Sequence, residues 1–181
     1  MVIENLISDL LVNLTLIGNV LIGLFIITLI AARYGKWEDG NKMINYLNKN
    51  ALLFAFIVSL IAVSGSLFYS EIRGFEPCFL CWIQRIFMYP LPIILGIALW
   101  HKDHAIKKYV LPLSVIGALI AVYHYSTQVF EKISTCGIDS GVSCTIRYTF
   151  GYGYITIPVM ALTAFIIIAV LMTVWKRESF K

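Results

Sequence analysis

Residues 76–100 read EPCFLCWIQRIFMYPLPIILGIALW, and this stretch is the most informative part of the sequence about the fold. A Cys-x-x-Cys motif stands at its beginning, and an apolar run interrupted by a single arginine extends over Cys81–Trp100. About twenty predominantly apolar residues cross the hydrocarbon core of a bilayer as a helix. The stretch therefore predicts a transmembrane helix that begins at a pair of cysteines. Pro90 and Pro92 are expected to kink it.

Four other stretches have a similar length and apolar character: Leu10–Ala32, Ala51–Ser70, Tyr109–Phe130 and Ile155–Trp175. The composition agrees with membrane insertion, because 60% of the residues are hydrophobic and only 13% are charged, whereas soluble domains carry about 25% charged residues. The basic residues form no stripe suited to nucleic acid. We expect residues 1–181 to form one all-α membrane domain with five spans.

The first span is predicted to be a retained transmembrane helix rather than a signal peptide. Acidic Glu4 and Asp9 precede it, whereas a signal peptide begins with basic residues. Its apolar core is also too long, and Arg33 and Lys36 follow it in place of a small-residue cleavage site.

The basic residues predict the orientation, because Lys and Arg concentrate in cytoplasmic segments. Most of them fall in residues 33–49, 102–108 and 176–181, which the five spans place on one side. We therefore expect the N-terminus outside and the C-terminus in the cytoplasm. Within residues 36–49, aromatic and aliphatic residues alternate with charged ones, which fits either a short interfacial amphipathic helix or an ordinary solvated loop.

All four cysteines fall on the predicted outer side. Cys78 and Cys81 stand at the mouth of the third span, and Cys136 and Cys144 flank a polar loop between the last two spans. Disulfides persist in oxidising compartments, so this placement suits cysteines on the oxidising side of a membrane. A helix N-terminus would stabilise the thiolate of the first cysteine in the Cys-x-x-Cys motif. Structural disulfides and zinc sites use the same spacing and are alternatives.

Three polar side chains near the cysteines are candidate quinone-binding residues. Arg85 follows Cys81 by one helical turn and shares its face. It could stabilise a thiolate or a quinone oxygen, or alternatively extend to the lipid headgroups. His124 and Gln128 form a second i, i+4 pair on the outer half of the fourth span. His124 could bind a quinone carbonyl, move a proton, or serve only in packing.

At these residues the chain resembles the DsbB family of disulfide bond formation proteins, and its shorter BdbC-type branch most closely. The similarity lies in EPCFLCWIQR and MYPL near the third span, in the YHY triplet around His124, in the loop that carries Cys136 and Cys144, and in GYITIP before the last span. The resemblance covers residues 51–175 and implies a four-helix core there. Residues 10–32 would be an extra N-terminal transmembrane helix.

The resemblance implies a thiol:quinone oxidoreductase of a prokaryotic plasma membrane, with its cysteines on the extracytoplasmic side. It would reoxidise a thioredoxin-fold disulfide oxidase of the DsbA or BdbD kind and pass the electrons to ubiquinone or menaquinone. The partner's thiolate would attack Cys136, and Cys144 would pass electrons to Cys78. Cys81 would then form the thiolate, or a transient adduct, that reduces the quinone, and Arg85 and His124 would assist there. No metal is expected in this interpretation.

Two other functions use the same residue types. A quinone reductase of the vitamin K epoxide reductase type shares the bundle, the Cys-x-x-Cys motif and a loop cysteine pair, although the spacing and Arg85 favour the DsbB type. A non-catalytic scaffold could bind zinc through four cysteines. The oxidising compartment and the arginine beside the thiols argue against that alternative.

Overall fold

The computed structural model of the chain describes residues 2–34, 38–101, 104–130 and 142–175, and for residues 29–34, 38–43 and 104 it describes the backbone alone. Regular structure in these ranges is helical apart from one isolated bridge between Gly151 and Ile155. The α-helices are α1 (Val2–Tyr34), α2 (Glu38–Leu67), α3 (Phe79–Met88), α4 (Pro90–His101), α5 (Lys107–Phe130) and α6 (Ile157–Val174). A π-helical turn at Phe68–Ile72 extends α2.

Five helical stretches are long and apolar enough to cross a membrane. They are Val2–Thr28, Ile44–Ile72, Phe79–His101, Lys107–Phe130 and Ile157–Val174. Because a backbone in hydrocarbon must satisfy its own hydrogen bonds, a bundle of such helices is the expected solution for this composition. The predicted five-span, all-α architecture is confirmed, and the chain is a multi-pass membrane protein.

The segment before the second span forms neither a separate interfacial helix nor a loop over the residues described. Helix α2 begins at Glu38 and runs without interruption to Leu67. Helix nucleation is costly whereas each added residue contributes another hydrogen bond, so an established apolar helix extends readily into a polar flank. Lys36 and Trp37 lie outside the described residues.

The third span is divided at Tyr89, where α3 ends and α4 begins. A proline has no N–H to donate and its ring clashes with the carbonyl four residues earlier, so Pro90 interrupts the helix. The backbone N–H of Tyr89 still donates to the carbonyl of Arg85 at 2.9 Å. The expected interruption of this span is confirmed at Pro90, whereas Pro92 lies within the first turn of α4. Pro112, by contrast, lies inside α5 without ending it.

Helices α5 and α6 pack closely in the bundle core. Phe165 of α6 is fully buried, and a Cβ atom on Gly117 of α5 would overlap its ring. Small residues allow membrane helices to approach this closely. The pairing holds the C-terminal half of α5, which carries His124, against the start of α6.

We expect Gly117→Ala to destabilise the bundle by about 1–3 kcal/mol, because the added methyl group would overpack the core against Phe165. The midpoint of thermal unfolding in detergent measures the effect. Gly23→Ala is the matched control, since a Cβ there meets no atom within 4 Å. Equal midpoints for the two variants would contradict the close packing of α5 on α6.

Candidate functional site

The two cysteines of the Cys-x-x-Cys motif lie at the N-terminus of α3. Cys78 is the N-cap residue, with an extended backbone at φ −69° and ψ 171°, and Cys81 lies in the first turn. Both are free thiols, and their Sγ atoms are 3.0 Å apart. A disulfide bond is about 2.05 Å long, so a movement of about 1 Å closes the pair. The motif is thus arranged as a dithiol that can be oxidised in place.

His124 is buried on the Cys78 side of this dithiol. Its Nε2 atom lies 3.6 Å from Cys78 Sγ and 3.3 Å from the carbonyl oxygen of Cys144. Its Nδ1 atom lies 3.0 Å from Nε2 of Gln84, which is also buried. An amide nitrogen can only donate, so in the neutral ring Nδ1 accepts and the proton is on Nε2. Gln84 therefore orients an N–H group of His124 toward the sulfur and the carbonyl.

The pKa of the Cys78 thiol is well below its ordinary value. The main cause is the hydrogen bond that the Cys81 thiol donates to the Cys78 thiolate, and the Nε2–H group of His124 contributes a further hydrogen bond. Burial opposes these effects but does not outweigh them. The N-terminus of α3 also favours a negative charge at this position. Cys78 is thus the thiolate of the pair.

We expect His124→Ala to slow alkylation of Cys78 by iodoacetamide about fivefold near pH 4, which is close to the pKa of about 4 of this thiol. Only the thiolate reacts with iodoacetamide. Loss of the His124 hydrogen bond raises the pKa of Cys78, so a smaller fraction of Cys78 is ionised at acidic pH. At alkaline pH, where both proteins are fully ionised, the rates should converge. Mass spectrometry of the reduced protein resolves this cysteine from the others.

The matched control is His101→Ala, because His101 is exposed at the C-terminal end of α4, at the far end of the third span from Cys78. It should leave the pH profile of Cys78 alkylation unchanged. If His124→Ala gave the wild-type profile as well, His124 would be a packing residue with no influence on the thiolate.

Of the loop cysteines Cys136 and Cys144, it is Cys144 that packs against the Cys-x-x-Cys motif. This residue is buried, disulfide-bonded, and packed in one cluster with Cys78 and Leu80. Cys136 lies outside the described residues. A disulfide sulfur thus lies in the same apolar cluster as the thiol of the Cys-x-x-Cys motif that is most easily ionised.

Gln128 holds the chain that follows Cys144. Its Nε2 donates to the carbonyl oxygen of Ile146 at 3.1 Å, and Arg147 donates to its main-chain carbonyl. Its buried Oε1 has no hydrogen-bond partner among the described residues. Together with His124, Gln128 lines a small pocket that Cys78 and Cys81 also line. These contacts anchor the chain just after Cys144, between α5 and α6, to the end of α5.

Arg85 lies on the opposite side of the dithiol and is bound to α2. Its Nε donates to the Ser66 hydroxyl at 3.0 Å, and its Nη2 donates to the Ser66 carbonyl at 3.1 Å. The guanidinium also lies over the rings of Trp82 and Tyr89, at 5.1 and 5.9 Å from their centroids. These contacts fix the cation between helices.

An apolar cavity of about 320 Å³ lies beside Arg85, bounded by residues of α1, α2, α3 and α6 and partly open to the outside. Cys81, Gln84 and Arg85 line it, whereas His124 and Gln128 are absent from its described lining. A mostly apolar pocket with a few polar groups is the usual form of a small-molecule site. The structure thus separates the residues predicted around a quinone: Arg85 lines the large cavity, His124 and Gln128 line a smaller pocket, and Cys81 lines both.

The ligand atoms of Cys78, Cys81 and His124 lie within 4.8 Å of one another, close enough to hold a metal ion. A zinc site made of four cysteine thiolates is a different arrangement. Cys144 is in a disulfide and offers no thiolate in this state. The geometry therefore provides three ligands near the motif rather than four sulfurs.

A family model described as disulfide bond formation protein DsbB matches residues 48–175 of the chain. The chain belongs to the DsbB family. The disulfide bond formation protein C of Bacillus subtilis is 50% identical over 137 residues, which cover 72% of this chain and 98% of that protein. The predicted resemblance is confirmed, and the chain is an oxidoreductase with a role in disulfide bond formation.

More distant DsbB-type relatives show the same coverage. The probable disulfide formation protein C of Halalkalibacterium halodurans is 42% identical over 132 residues, covering 72% of this chain and 96% of that protein. The probable disulfide formation protein of Deinococcus radiodurans is 40% identical over 142 residues, which cover 73% of this chain and 92% of that protein. No solved structure matches the chain significantly. The DsbB match begins after α1, so that helix lies outside the family core.

Two residues of this DsbB family site were not assigned a role from the sequence. Gln84, which orients His124, stands in the cysteine motif as an uncharged polar residue within an apolar helix. A buried amide in a membrane span signals a hydrogen-bond partner, so its importance could have been predicted. Ser66, which binds Arg85, carries no such signal, because serine is common in membrane helices.

Proposed function

We propose that the chain is a thiol:quinone oxidoreductase of a prokaryotic plasma membrane. It reoxidises an extracytoplasmic thioredoxin-fold oxidase and transfers two electrons to ubiquinone or menaquinone. One observation carries the proposal: the Cys78–Cys81 dithiol stands between the disulfide-bonded Cys144 and an apolar cavity lined by Cys81 and Arg85. The dithiol therefore has a thiol-exchange side and a side suited to an apolar electron acceptor.

The exchange side begins with a disulfide between Cys136 and Cys144. A thiolate of the reduced partner attacks Cys136, forming a mixed disulfide and releasing Cys144 as a thiolate. The partner's second thiol then attacks its own half of the mixed disulfide, so the partner leaves oxidised and Cys136 becomes a thiol. Two electrons have moved from the partner to the loop pair.

The loop pair next reduces the motif. The Cys144 thiolate attacks Cys78 in the Cys78–Cys81 disulfide and releases Cys81. Cys136 then attacks Cys144, which restores the loop disulfide and leaves Cys78 and Cys81 reduced. The observed state, with a bonded Cys144 and two free thiols in the motif, corresponds to the end of this step.

The residues around the cavity fit a quinone. Its walls are mostly apolar, its volume of about 320 Å³ is sufficient for a ring, and Gln84 and Arg85 offer hydrogen-bond donors. A quinone held by these residues would serve as the acceptor of two electrons and two protons. Cys81 lies at the cavity wall to deliver electrons as the motif closes to a disulfide, and the Arg85 guanidinium favours negative charge developing beside it. His124 does not line this cavity, and its Nε2–H group is directed at the Cys78 sulfur instead.

The distribution of basic residues supports an orientation with the cysteines outside. Residues 33–49, 102–108 and 176–181 carry most of the Lys and Arg, and such segments are retained in the cytoplasm. The cysteine motif at the start of α3 would then face the compartment in which a disulfide oxidase works.

The decisive test is quinone reduction by the purified chain in detergent, followed by ultraviolet absorbance, with a reduced thioredoxin-fold oxidase as donor. We expect rapid loss of oxidised decylubiquinone or of a menaquinone analogue, dependent on the cysteines. Failure to reduce either quinone, with bound zinc in stoichiometric amount, would instead support the scaffold. Membership of the DsbB family favours the oxidase over a reductase of the vitamin K epoxide type.

A further inference from the structure

Helix α1 is outside the family match but is joined to the core by specific polar contacts. Asn13 accepts a hydrogen bond from the Tyr152 hydroxyl at 2.7 Å. Asn19 accepts one from Thr163 of α6 at 2.8 Å and donates to the Tyr154 hydroxyl at 3.3 Å. Polar groups between membrane helices fix their register, because hydrocarbon offers them no alternative partner.

Close packing accompanies these hydrogen bonds. A Cβ atom on Gly18 of α1 would lie 2.9 Å from Thr163 and 3.2 Å from Ile167, both on α6. On the neighbouring face, a Cβ on Gly65 of α2 would lie 3.2 Å from the Leu11 side chain. The absence of a side chain at both glycines lets α1 approach α6 and α2 together. The helix is therefore fitted to one position on the core.

In this position α1 forms one wall of the apolar cavity. The cavity-lining residues of α1 are Leu11, Leu14, Thr15, Ile17, Gly18 and Leu21. The same cavity is bounded by Cys81 and Arg85 of α3. Without α1, this space would be a groove on the outside of the family core, between α2 and α6 and open to lipid. The extra helix thus converts a groove beside the redox-active thiol into a cavity.

We propose that α1 is a specificity-determining wall of the quinone cavity, which limits the shape of molecule that reaches Cys81 from the bilayer. This inference rests on the function proposed above and deepens it. The docked helix shields Cys81 from apolar reagents dissolved in the membrane and supplies contacts to the bound ring. Displacing α1 should expose the thiol and weaken quinone binding, whereas filling the cavity from α1 should block both.

The first test displaces the helix with Gly18→Leu. The new side chain meets Thr163 and Ile167, so α1 must move away from α6. Gly23→Leu is the matched control on the same helix, because a Cβ atom at Gly23 meets no atom within 4 Å. We expect a lipid-soluble maleimide to alkylate Cys81 in the reduced protein about tenfold faster in Gly18→Leu, with binding of decylubiquinone weakened about tenfold. The control should match the wild type in both measurements.

The second test fills the cavity with Leu14→Trp. Its matched control is Val20→Trp, since Val20 is exposed on α1 and does not line the cavity. We expect Leu14→Trp to slow alkylation of Cys81, the opposite of the change in Gly18→Leu, and again to weaken decylubiquinone binding about tenfold. If Gly18→Leu fails to fold, this pair decides the question alone.

The two measurements separate the inference from the proposed function. Equal alkylation rates in each variant and its control would overturn the role of α1, whatever the quinone results. A wild-type chain that binds neither decylubiquinone nor a menaquinone analogue would overturn the proposed function and, with it, the assignment of the cavity to a quinone. Opposite changes in alkylation together with weakened quinone binding would support both.

Discussion

Cys81→Ser is expected to abolish quinone reduction, by roughly a thousandfold or more, while the loop cysteines still form a mixed disulfide with the partner. The motif delivers two electrons by closing to a disulfide, and a single remaining thiol cannot do so. Cys81 is also the motif cysteine that lines the apolar cavity. The partner's thiolate, by contrast, attacks Cys136, which the substitution leaves in place.

The two halves of this prediction need different measurements. Loss of quinone absorbance reports electron delivery, and non-reducing electrophoresis with a partner that lacks its second cysteine reports the mixed disulfide. Cys144→Ser provides the complementary variant: partner-driven turnover should be lost, but a small dithiol that reduces the motif directly should still support quinone reduction. Normal partner-driven turnover by Cys81→Ser would refute the relay.

The sequence predicted what depends on local spacing. Five apolar stretches determine five helices, because each alone satisfies the length and polarity that a bilayer requires. The i, i+4 spacing of Cys81 and Arg85 placed both on one face of a helix, and both line the same cavity. The division of the third span at Pro90 likewise follows from proline chemistry. These features need no knowledge of neighbouring helices.

What the sequence could not predict depends on which helices meet. His124 and Gln128 share a face of α5 by the same spacing rule, yet one reaches Cys78 and the other the carbonyl of Ile146. The binding of Arg85 by Ser66 joins residues of different helices. The docking of α1 beside the cavity is similarly non-local. Helical periodicity gives the face on which a residue lies and carries no information about the element packed against that face.

Arg85→Met is expected to lower kcat/KM for quinone reduction about a hundredfold, because loss of one preorganised donor at a developing negative charge has effects of about that size. Only the step that reduces the quinone should be affected, since Arg85 forms no described hydrogen bond with Cys78 or His124. Formation of the mixed disulfide with the partner should therefore proceed at the wild-type rate. Steady-state kinetics with a small dithiol as donor isolates the step.

Two companion variants separate charge from geometry. Arg85→Lys keeps the cation but cannot reproduce the two hydrogen bonds to Ser66, so we expect an intermediate loss of about tenfold. Ser66→Ala leaves the hydrogen bond from Arg85 to the main-chain carbonyl of that residue and should reduce the rate less than Arg85→Lys does. The expected order is thus Ser66→Ala, Arg85→Lys, Arg85→Met, from smallest to largest loss.

A purely structural role for Arg85 makes a different prediction. The guanidinium ties α3 to α2 through Ser66, and loss of hydrogen bonds to a charged group costs about 1.5–3 kcal/mol each. If that connection were its whole function, Arg85→Met would lower the midpoint of thermal unfolding while the folded protein kept the wild-type kcat/KM. A hundredfold loss of kcat/KM in protein that is still folded at the assay temperature requires the charge itself, because the helices remain in place and only the cation beside Cys81 has been removed.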